Sequence, residues 1–305
     1  MNIRLGTRAS ALALAQSTTV ADAIRERTGH SVELVEIVTT GDRSSAPIPQ
    51  LGVGVFVSAL RDALSAKEVD IAVHSYKDLP TAPADGLTVA AVPTRADPRD
   101  ALVARDGLTL SELPEGARIG TGALRRIAQV HALGRHLVPV PVRGNVDTRL
   151  RKLAEGQFDA IVLARAGLAR LGRAGEATEI LDPLLMLPAP AQGALAVECR
   201  EDDDELRAIL AALDDTDTRA AVTAEREFLA ELEAGCSAPI AALAEVAEGD
   251  DTPEIYLRGA AFSPDGSVSI RLSRTGTLAD AAQIGRALAR DLRAEGADTA
   301  LGVQQ

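Results

Sequence analysis

Val69-Asp70-Ile71-Ala72-Val73-His74-Ser75-Tyr76-Lys77-Asp78-Leu79-Pro80-Thr81 sets the class of fold. From Val69 to Val73 the run is apolar except for Asp70, which reads as a short buried strand. It then delivers His74, Ser75, Tyr76, Lys77 and Asp78 in succession, and Pro80 ends the element. A buried strand that ends in such a cluster places chemistry at a sheet edge, where open α/β sheets keep their ligands. Asp78 is the residue expected at the centre of that site. The plainer alternative is a solvated turn with a Lys77–Asp78 surface pair of little energetic weight.

Strands and helices alternate outward from this stretch. Ile3 to Thr7 reads as a strand, Ser10 as the N-cap of an Ala/Leu-rich helix to about Arg27, and Thr28-Gly29 as its stop. Val32 to Val38 is a second strand. After a polar loop from Thr39 to Pro49, Leu51 to Phe56 leads into a helix through Leu64. Strands follow at Ile71 to His74 and Leu87 to Val92. This spacing predicts a mostly parallel sheet with helices on both faces. Pro93 to Pro98 reads as a linker. A second α/β unit then shows strands at Arg118 to Thr121, Leu137 to Val142 and Ala160 to Ala164, with helices over Leu124 to Leu133, Asp147 to Glu155 and from Arg165. Leu187-Pro188-Ala189-Pro190 is a second linker. Ala194 to Cys199 is apolar enough to be a central strand, and it is expected to return to the first sheet.

The last section has a different pattern. Ala221, Ala224, Phe228 and Leu232 fall on one helical face, as do Ala281, Ile284, Leu288 and Leu292. Between them lie strands at Ile240 to Val246, Glu254 to Ala261 and Val268 to Thr275. The expected architecture is therefore α/β in three domains. The first covers 1–93 plus 191–213, the second 94–190, and a small α+β domain 214–305.

Composition narrows the functional classes. The 305 residues are 46% hydrophobic but only 2% aromatic, so the cores must be built from Ala, Val, Leu and Ile. The net charge of −12, with Lys only at 67, 77 and 152, argues against a nucleic-acid partner, because phosphate neutralisation needs clustered cations. No run of eighteen apolar residues exists, so no membrane span is expected. Met1 to Leu5 enters a strand pattern directly and does not read as a signal peptide. Cys199 and Cys236 make no disulfide framework, and a cytoplasmic location is expected. An acidic, Lys-poor surface also fits a salt-loaded cytoplasm.

Three strand-to-helix junctions put arginine beside a helix N-terminus: Thr7-Arg8-Ala9-Ser10, Gly120-Thr121-Gly122-Ala123-Leu124-Arg125-Arg126, and Arg143-Gly144-Asn145-Val146-Asp147-Thr148-Arg149. Unpaired backbone N–H groups and forked guanidiniums both favour anions. Gly120, Gly122 and Gly144 are expected to let an oxygen approach the backbone, and Arg170 lies on a later helix start in the same unit. A site for several anions follows. The glycine stretches are not Walker loops, and Gly52-Val53-Gly54 lacks the rest of a dinucleotide fingerprint. There is no Cys-x-x-Cys, and the histidines at 30, 74, 131 and 136 lack ligand spacing, so no metal is expected. His131 and His136 read as surface residues. Cys199 reads as a packed thiol, whereas Cys236, in a Gly-Cys-Ser loop after a helix, reads as an accessible one.

These motifs together resemble the porphobilinogen deaminase (hydroxymethylbilane synthase) family nearly end to end. The matching stretches are Arg4 to Ser10 with Gln16, Asp70 to Pro80, Leu124-Arg125-Arg126, Arg143 to Leu150, Pro188 to Ala194, and Leu232 to Cys236. The resemblance implies three domains, the first two like periplasmic binding proteins and joined by hinge strands. It implies a monomeric transferase that joins four porphobilinogen molecules head to tail with loss of ammonia. It also implies a dipyrromethane cofactor on a thioether to Cys236. Asp78 matches the catalytic aspartate. Lys77, Arg125, Arg126, Ser75 and Thr121 are implied around the cofactor, and Arg8, Ser10, Gln16, Arg143, Arg149, Arg170, Gln192 and Phe56 around the substrate. The chain departs from the family pattern at Val53, where Lys is frequent, and at Gly122-Ala123, where Ser-Ser is frequent. The competing reading is a two-lobed anion-binding protein without chemistry, which would not account for Cys236.

Overall fold

The computed structural model describes residues 1–37, 55–232, 238–249 and 252–302. It divides into two compact units, Met1–Ala96 with Ala194–Arg219, and Asp97–Gly193 with Ala220–Gln305. In chain order the first part contains β1 (Asn2–Thr7), α1 (Ala11–Thr28), β2 (Ser31–Glu36), α2 (Val55–Ser65), β3 (Ile71–Ser75) and β4 (Leu87–Ala91). Next come β5 (Asp100–Ala104), β6 (Arg118–Gly120), α3 (Leu124–Ala132), β7 (Val138–Val140), α4 (Val146–Ala154), β8 (Ala160–Ala164), α5 (Arg165–Arg170) and β9 (Glu179–Ile180). After β10 (Leu195–Arg200) and α6 (Asp204–Leu210), the chain ends with α7 (Thr216–Glu231), β11 (Ile240–Ala247), β12 (Glu254–Phe262), β13 (Ser269–Thr277), α8 (Ala281–Ala294) and α9 (Ala297–Leu301).

The first unit is built on a sheet of order β2-β1-β3-β10-β4. β1 pairs parallel with β2 and β3, while β10 is antiparallel to both its neighbours. The strand after the second linker does return to this sheet, with Val197 opposite Val73. Ser10 caps α1 by accepting from the Ala13 N–H at 3.3 Å, and Gly29, at φ +72°, closes it. A residue with a side chain would resist that left-handed geometry. Ile3, Leu5, Val20, Ile24, Ile71 and Val197 form the core between α1 and the sheet.

The second unit carries a sheet of order β7-β6-β8-β5-β9, again with one reversed strand, β5, in the fourth place. Sequence periodicity did not mark β5, because its first residue is Asp100 and the residues before it read as linker. β7 is shorter than the expected Leu137 to Val142. It holds Pro139, which has no N–H to give, and it lies at the sheet edge where that loss is tolerated. The C-terminal part is a three-stranded antiparallel sheet, β11-β12-β13. The two predicted helical faces meet on it, with Phe228, Ile284, Leu288 and Leu292 in one core. A Cβ at Gly285 would strike the Ala224 carbonyl, so the missing side chain lets α8 approach α7. Within this unit Ala128 and Leu187 also pack on Ala241, Leu243, Ala260 and Phe262. Among the described residues no helix is long and apolar enough to cross a membrane.

Candidate active site

In the first unit the decisive stretch behaves as its composition requires. β3 is buried to His74, then Tyr76–Asp78 form one 3-10 turn in which the Leu79 N–H donates to the Tyr76 carbonyl at 3.2 Å. Leu79 is buried beneath the turn, and the Tyr76 N–H is held by the Ala194 carbonyl at 3.1 Å. The apolar anchor leaves Asp78 exposed, and among the described residues its carboxylate has neither a hydrogen bond nor an ion pair. Gln16 is buried and donates from Nε2 to Ser75 Oγ at 2.8 Å. β1 and β3 are parallel with Gly6 opposite Ala72, so Arg8 leaves the sheet at the same edge as Ser75. Ser10 accepts from the Ala13 N–H, leaving its own O–H free to donate. Arg8 and Lys77 are both half-buried.

A network that sequence reasoning missed lies beneath this edge. His74 Nε2 is 3.1 Å from Glu198 Oε2, and Arg61 donates to the same carboxylate from Nε and Nη2, the latter at 2.8 Å. Glu198 is buried. Burial pushes its carboxyl up, but the bonds to His74 and Arg61 outweigh that and hold it below the ordinary range. The network ties β3, which delivers Lys77 and Asp78, to β10 and α2. Its only sequence signal was a His and a Glu inside apolar strands, where an unpaired charge would be costly.

In the second unit the expected site residues separate into two groups. Arg125 and Arg126 are each 5% exposed and converge on Asp100, which is wholly buried. Arg125 donates to Asp100 at 2.7 Å, to the Leu187 carbonyl at 3.1 Å and to Gln192 Oε1 at 3.0 Å. Arg126 donates to Asp100 at 2.8 Å and to the Val162 carbonyl at 2.9 Å. Gln192, also buried, donates to Asp100 at 2.7 Å and to the Pro98 carbonyl at 2.8 Å. Burial raises the Asp100 carboxyl, but the two guanidiniums more than offset it, so the group stays well below the usual carboxylate range. Burial lowers Arg125, and Asp100 restores part of that. Asp100 was missed because an acid heading an apolar run looks like the end of a linker.

Arg143, Arg149 and Arg170 form the other group. Among the described residues none has a carboxylate partner, in a chain of net charge −12. Arg149 donates to the Gly144 carbonyl at 2.8 Å, and Arg170 to the Gly193 carbonyl at 2.7 Å. Burial pulls Arg170 down to about 10, and it lowers Arg149 as well, with the positive charge of Arg126 adding to the effect. Arg149 and Arg170, desolvated and without a carboxylate partner among the described residues, are an arrangement that an anionic ligand would relieve, and the exposed Arg143 adds to it.

Packing accounts for the glycines at the two junctions of this unit. A Cβ at Gly120 would meet Ile161 and Phe158 side chains, at 2.8 and 3.1 Å, so this glycine serves strand packing. At Gly122 it would sit 2.9 Å from the Val142 carbonyl, so the departure from Ser is dictated by a backbone close by. Gly144, at φ +107°, packs on Thr148 in a turn. At all three the space where a Cβ would lie is taken by neighbouring protein atoms. Thr121 is buried and its hydroxyl accepts from the Ala123 N–H at 3.4 Å, at the start of a helix whose N-cap, Ala123, has no side-chain acceptor. Asn145 caps α4 by accepting from the Thr148 N–H at 2.9 Å. Cys199 is a packed thiol as expected, pushed up to about 11 by burial and, secondarily, Asp203. Cys236, Val53 and the side chain of Phe56 lie outside the described residues.

A family model of the dipyrromethane cofactor-binding domain of porphobilinogen deaminase matches residues 3–208, and one of the C-terminal domain of porphobilinogen deaminase matches residues 219–294. The chain is similar to the porphobilinogen deaminase of Mycobacterium tuberculosis, 60% identical over 295 residues that cover 95% of each chain. It is 58% identical over 300 residues to that of Nocardia farcinica, covering 97% of this chain and 86% of the relative. Among solved structures, the methionine-binding protein MetQ is 15% identical with a TM-score of 0.44, covering 70% of this chain and 89% of the other.

Proposed function

The chain belongs to the porphobilinogen deaminase family, and on that premise we propose how its residues divide the work. It is a transferase of tetrapyrrole biosynthesis with a dipyrromethane cofactor-binding domain. In the proposed reaction four porphobilinogen molecules are joined head to tail. At each step the C–N bond of an aminomethyl arm breaks, a C–C bond to the next ring forms, and the ring proton that is displaced leaves with the ammonia. The donor set fits carboxylate-bearing pyrroles, since among the described residues Arg143, Arg149 and Arg170 have no acid and both porphobilinogen and a dipyrromethane carry acetate and propionate arms. When bound, that group supplies the ring carbon onto which substrate is joined.

Asp78 is the catalytic residue of this proposal. Loss of ammonia from the substrate leaves a positively charged ring, and a fixed carboxylate stabilises that charge as it develops. The observation that carries the assignment is that Asp78, in the turn after β3, is exposed and, among the described residues, unengaged, so its oxygens are available to a pyrrole N–H and to the cation. Arg8, Lys77, Arg143, Arg149 and Arg170 bind carboxylate arms, and Ser10, Ser75 and Gln16 add hydrogen bonds. Arg125, Arg126 and Gln192 are proposed to act from the Asp100 cluster as a rigid positive wall, with Thr121 ordering the start of α3. Phe56 is assigned a packing contact with a ring. Cys236 holds the cofactor by a thioether, in a C-terminal α+β domain spanning 214–305, and the protein works as a monomer in the cytoplasm.

Intact mass of the purified protein tests the reading. The parent should exceed its polypeptide mass by two pyrrole units, and Cys236→Ser should show the polypeptide alone with no turnover. A parent at bare polypeptide mass that nevertheless converts porphobilinogen would refute the covalent cofactor.

A further inference from the structure

Arg165 is the first residue after β8, and its N–H donates to the Arg99 carbonyl at 3.0 Å. β6, β7 and β8 run parallel, so Arg165 stands at the sheet edge where Thr121 and Arg143 also emerge. Its Nη1 is buried and has no hydrogen-bond partner among the described residues. A buried guanidinium donor left unmet is costly, and native structures meet nearly all such groups. Arg125 and Arg126 show the usual solution in this molecule, with donors spent on Asp100 and on carbonyls. Arg165 lacks that solution. Asp97 lies within electrostatic reach, but its carboxylate already accepts from the Arg99 N–H, Nε and Nη2, the last at 2.6 Å. The helix that Arg165 opens ends at Arg170, itself without an acid.

We propose that Arg165 grips a carboxylate arm of the pyrrole substrate, adding a further guanidinium to Arg143, Arg149 and Arg170. The forked donor geometry of Arg matches a carboxylate, and the unmet Nη1 is the group such an arm would satisfy. This assignment rests on the porphobilinogen-condensing reading above.

The test compares Arg165→Gln and Arg165→Lys with the parent, each carrying its cofactor, using porphobilinogen as substrate. Loss of one charge-assisted contact made equally in ground and transition states should raise KM roughly tenfold or more in Arg165→Gln, with kcat little changed. Arg165→Lys should recover part of that rise. Intact mass should still show the two extra pyrrole units, and the thermal midpoint should hold or increase. An unchanged KM in both variants would overturn the proposal, as would a lowered midpoint with unchanged KM, which would make Arg165 a counter-charge for Asp97. If Arg165→Gln does not fold, Arg165→Lys decides alone, because it keeps the charge but not the fork. A parent that fails to consume porphobilinogen would sink the functional reading itself, whereas an active parent with indifferent variants would sink only Arg165.

Discussion

Asp100 and Asp78 are carboxylates at the ends of strands in two five-stranded sheets, and the chain treats them in opposite ways. Asp100 is sealed from water and receives hydrogen bonds from Arg125, Arg126 and Gln192. Asp78 stands in solvent with its oxygens unengaged among the described residues. The local sequences explain the contrast. Asp100 begins a strand that is buried along its whole length, so its charge survives only if matched. Asp78 closes the 3-10 turn that follows a strand, pinned by the buried Leu79, so it can remain charged without a partner. An ion pair consumes the acceptor capacity that a catalytic carboxylate must keep. The arginines follow the same rule: Arg125 and Arg126 are committed to an acid, while among the described residues Arg143, Arg149 and Arg170 are not.

The largest structural effect should come from the committed side. Asp100→Asn strands two buried guanidiniums and should cost about 3 kcal/mol or more of unfolding free energy, read from urea denaturation. The pH dependence of the parent has a definite sign. Arg125 and Arg126 depress the folded-state pKa of Asp100, so its contribution is complete above the unfolded carboxylate value of about 4 and is lost as pH falls below it. Asp100→Asn should flatten that acid limb. If it matches the parent in stability at neutral pH, the contrast between the two acids is broken.

A smaller effect is expected from the uncommitted arginines. Arg149→Gln should raise KM for porphobilinogen about tenfold while leaving the urea midpoint within error of the parent, since no ion pair is lost. A stability loss without a KM change would move Arg149 into the structural class. The smallest effect belongs to Ser10, which accepts the Ala13 N–H. Ser10→Ala should cost about 1 kcal/mol of stability through the lost cap and raise KM for porphobilinogen a few-fold through the lost substrate hydrogen bond. An unchanged KM would leave Ser10 with the cap alone.

Much of this was legible in the sequence. Strand-helix alternation and the two amphipathic helical faces followed from periodicity, because apolar spacing reports which face is buried, and the return of β10 followed from the paired linkers on either side of the second unit. The tip at Asp78 followed from a polar cluster closing an apolar run. Three features did not follow. β5 was hidden by its leading Asp100, whose partners Arg125 and Arg126 come from a helix more than twenty residues away. The link of His74 to Glu198 spans strands distant in sequence, and pattern reading has no term for a charge matched at long range. The packing need for glycine at 120 and 122 comes from Ile161, Phe158 and the Val142 carbonyl, neighbours that only the fold supplies.

The most direct measurement is single-turnover consumption of porphobilinogen by Asp78→Asn, with intact mass and urea midpoint recorded on the same preparation. The account expects the parent's midpoint, a mass that still includes the cofactor, and turnover reduced roughly a thousandfold, in line with the loss of one charge-stabilising group. Turnover near the parent's rate in a folded, cofactor-bearing Asp78→Asn would contradict it.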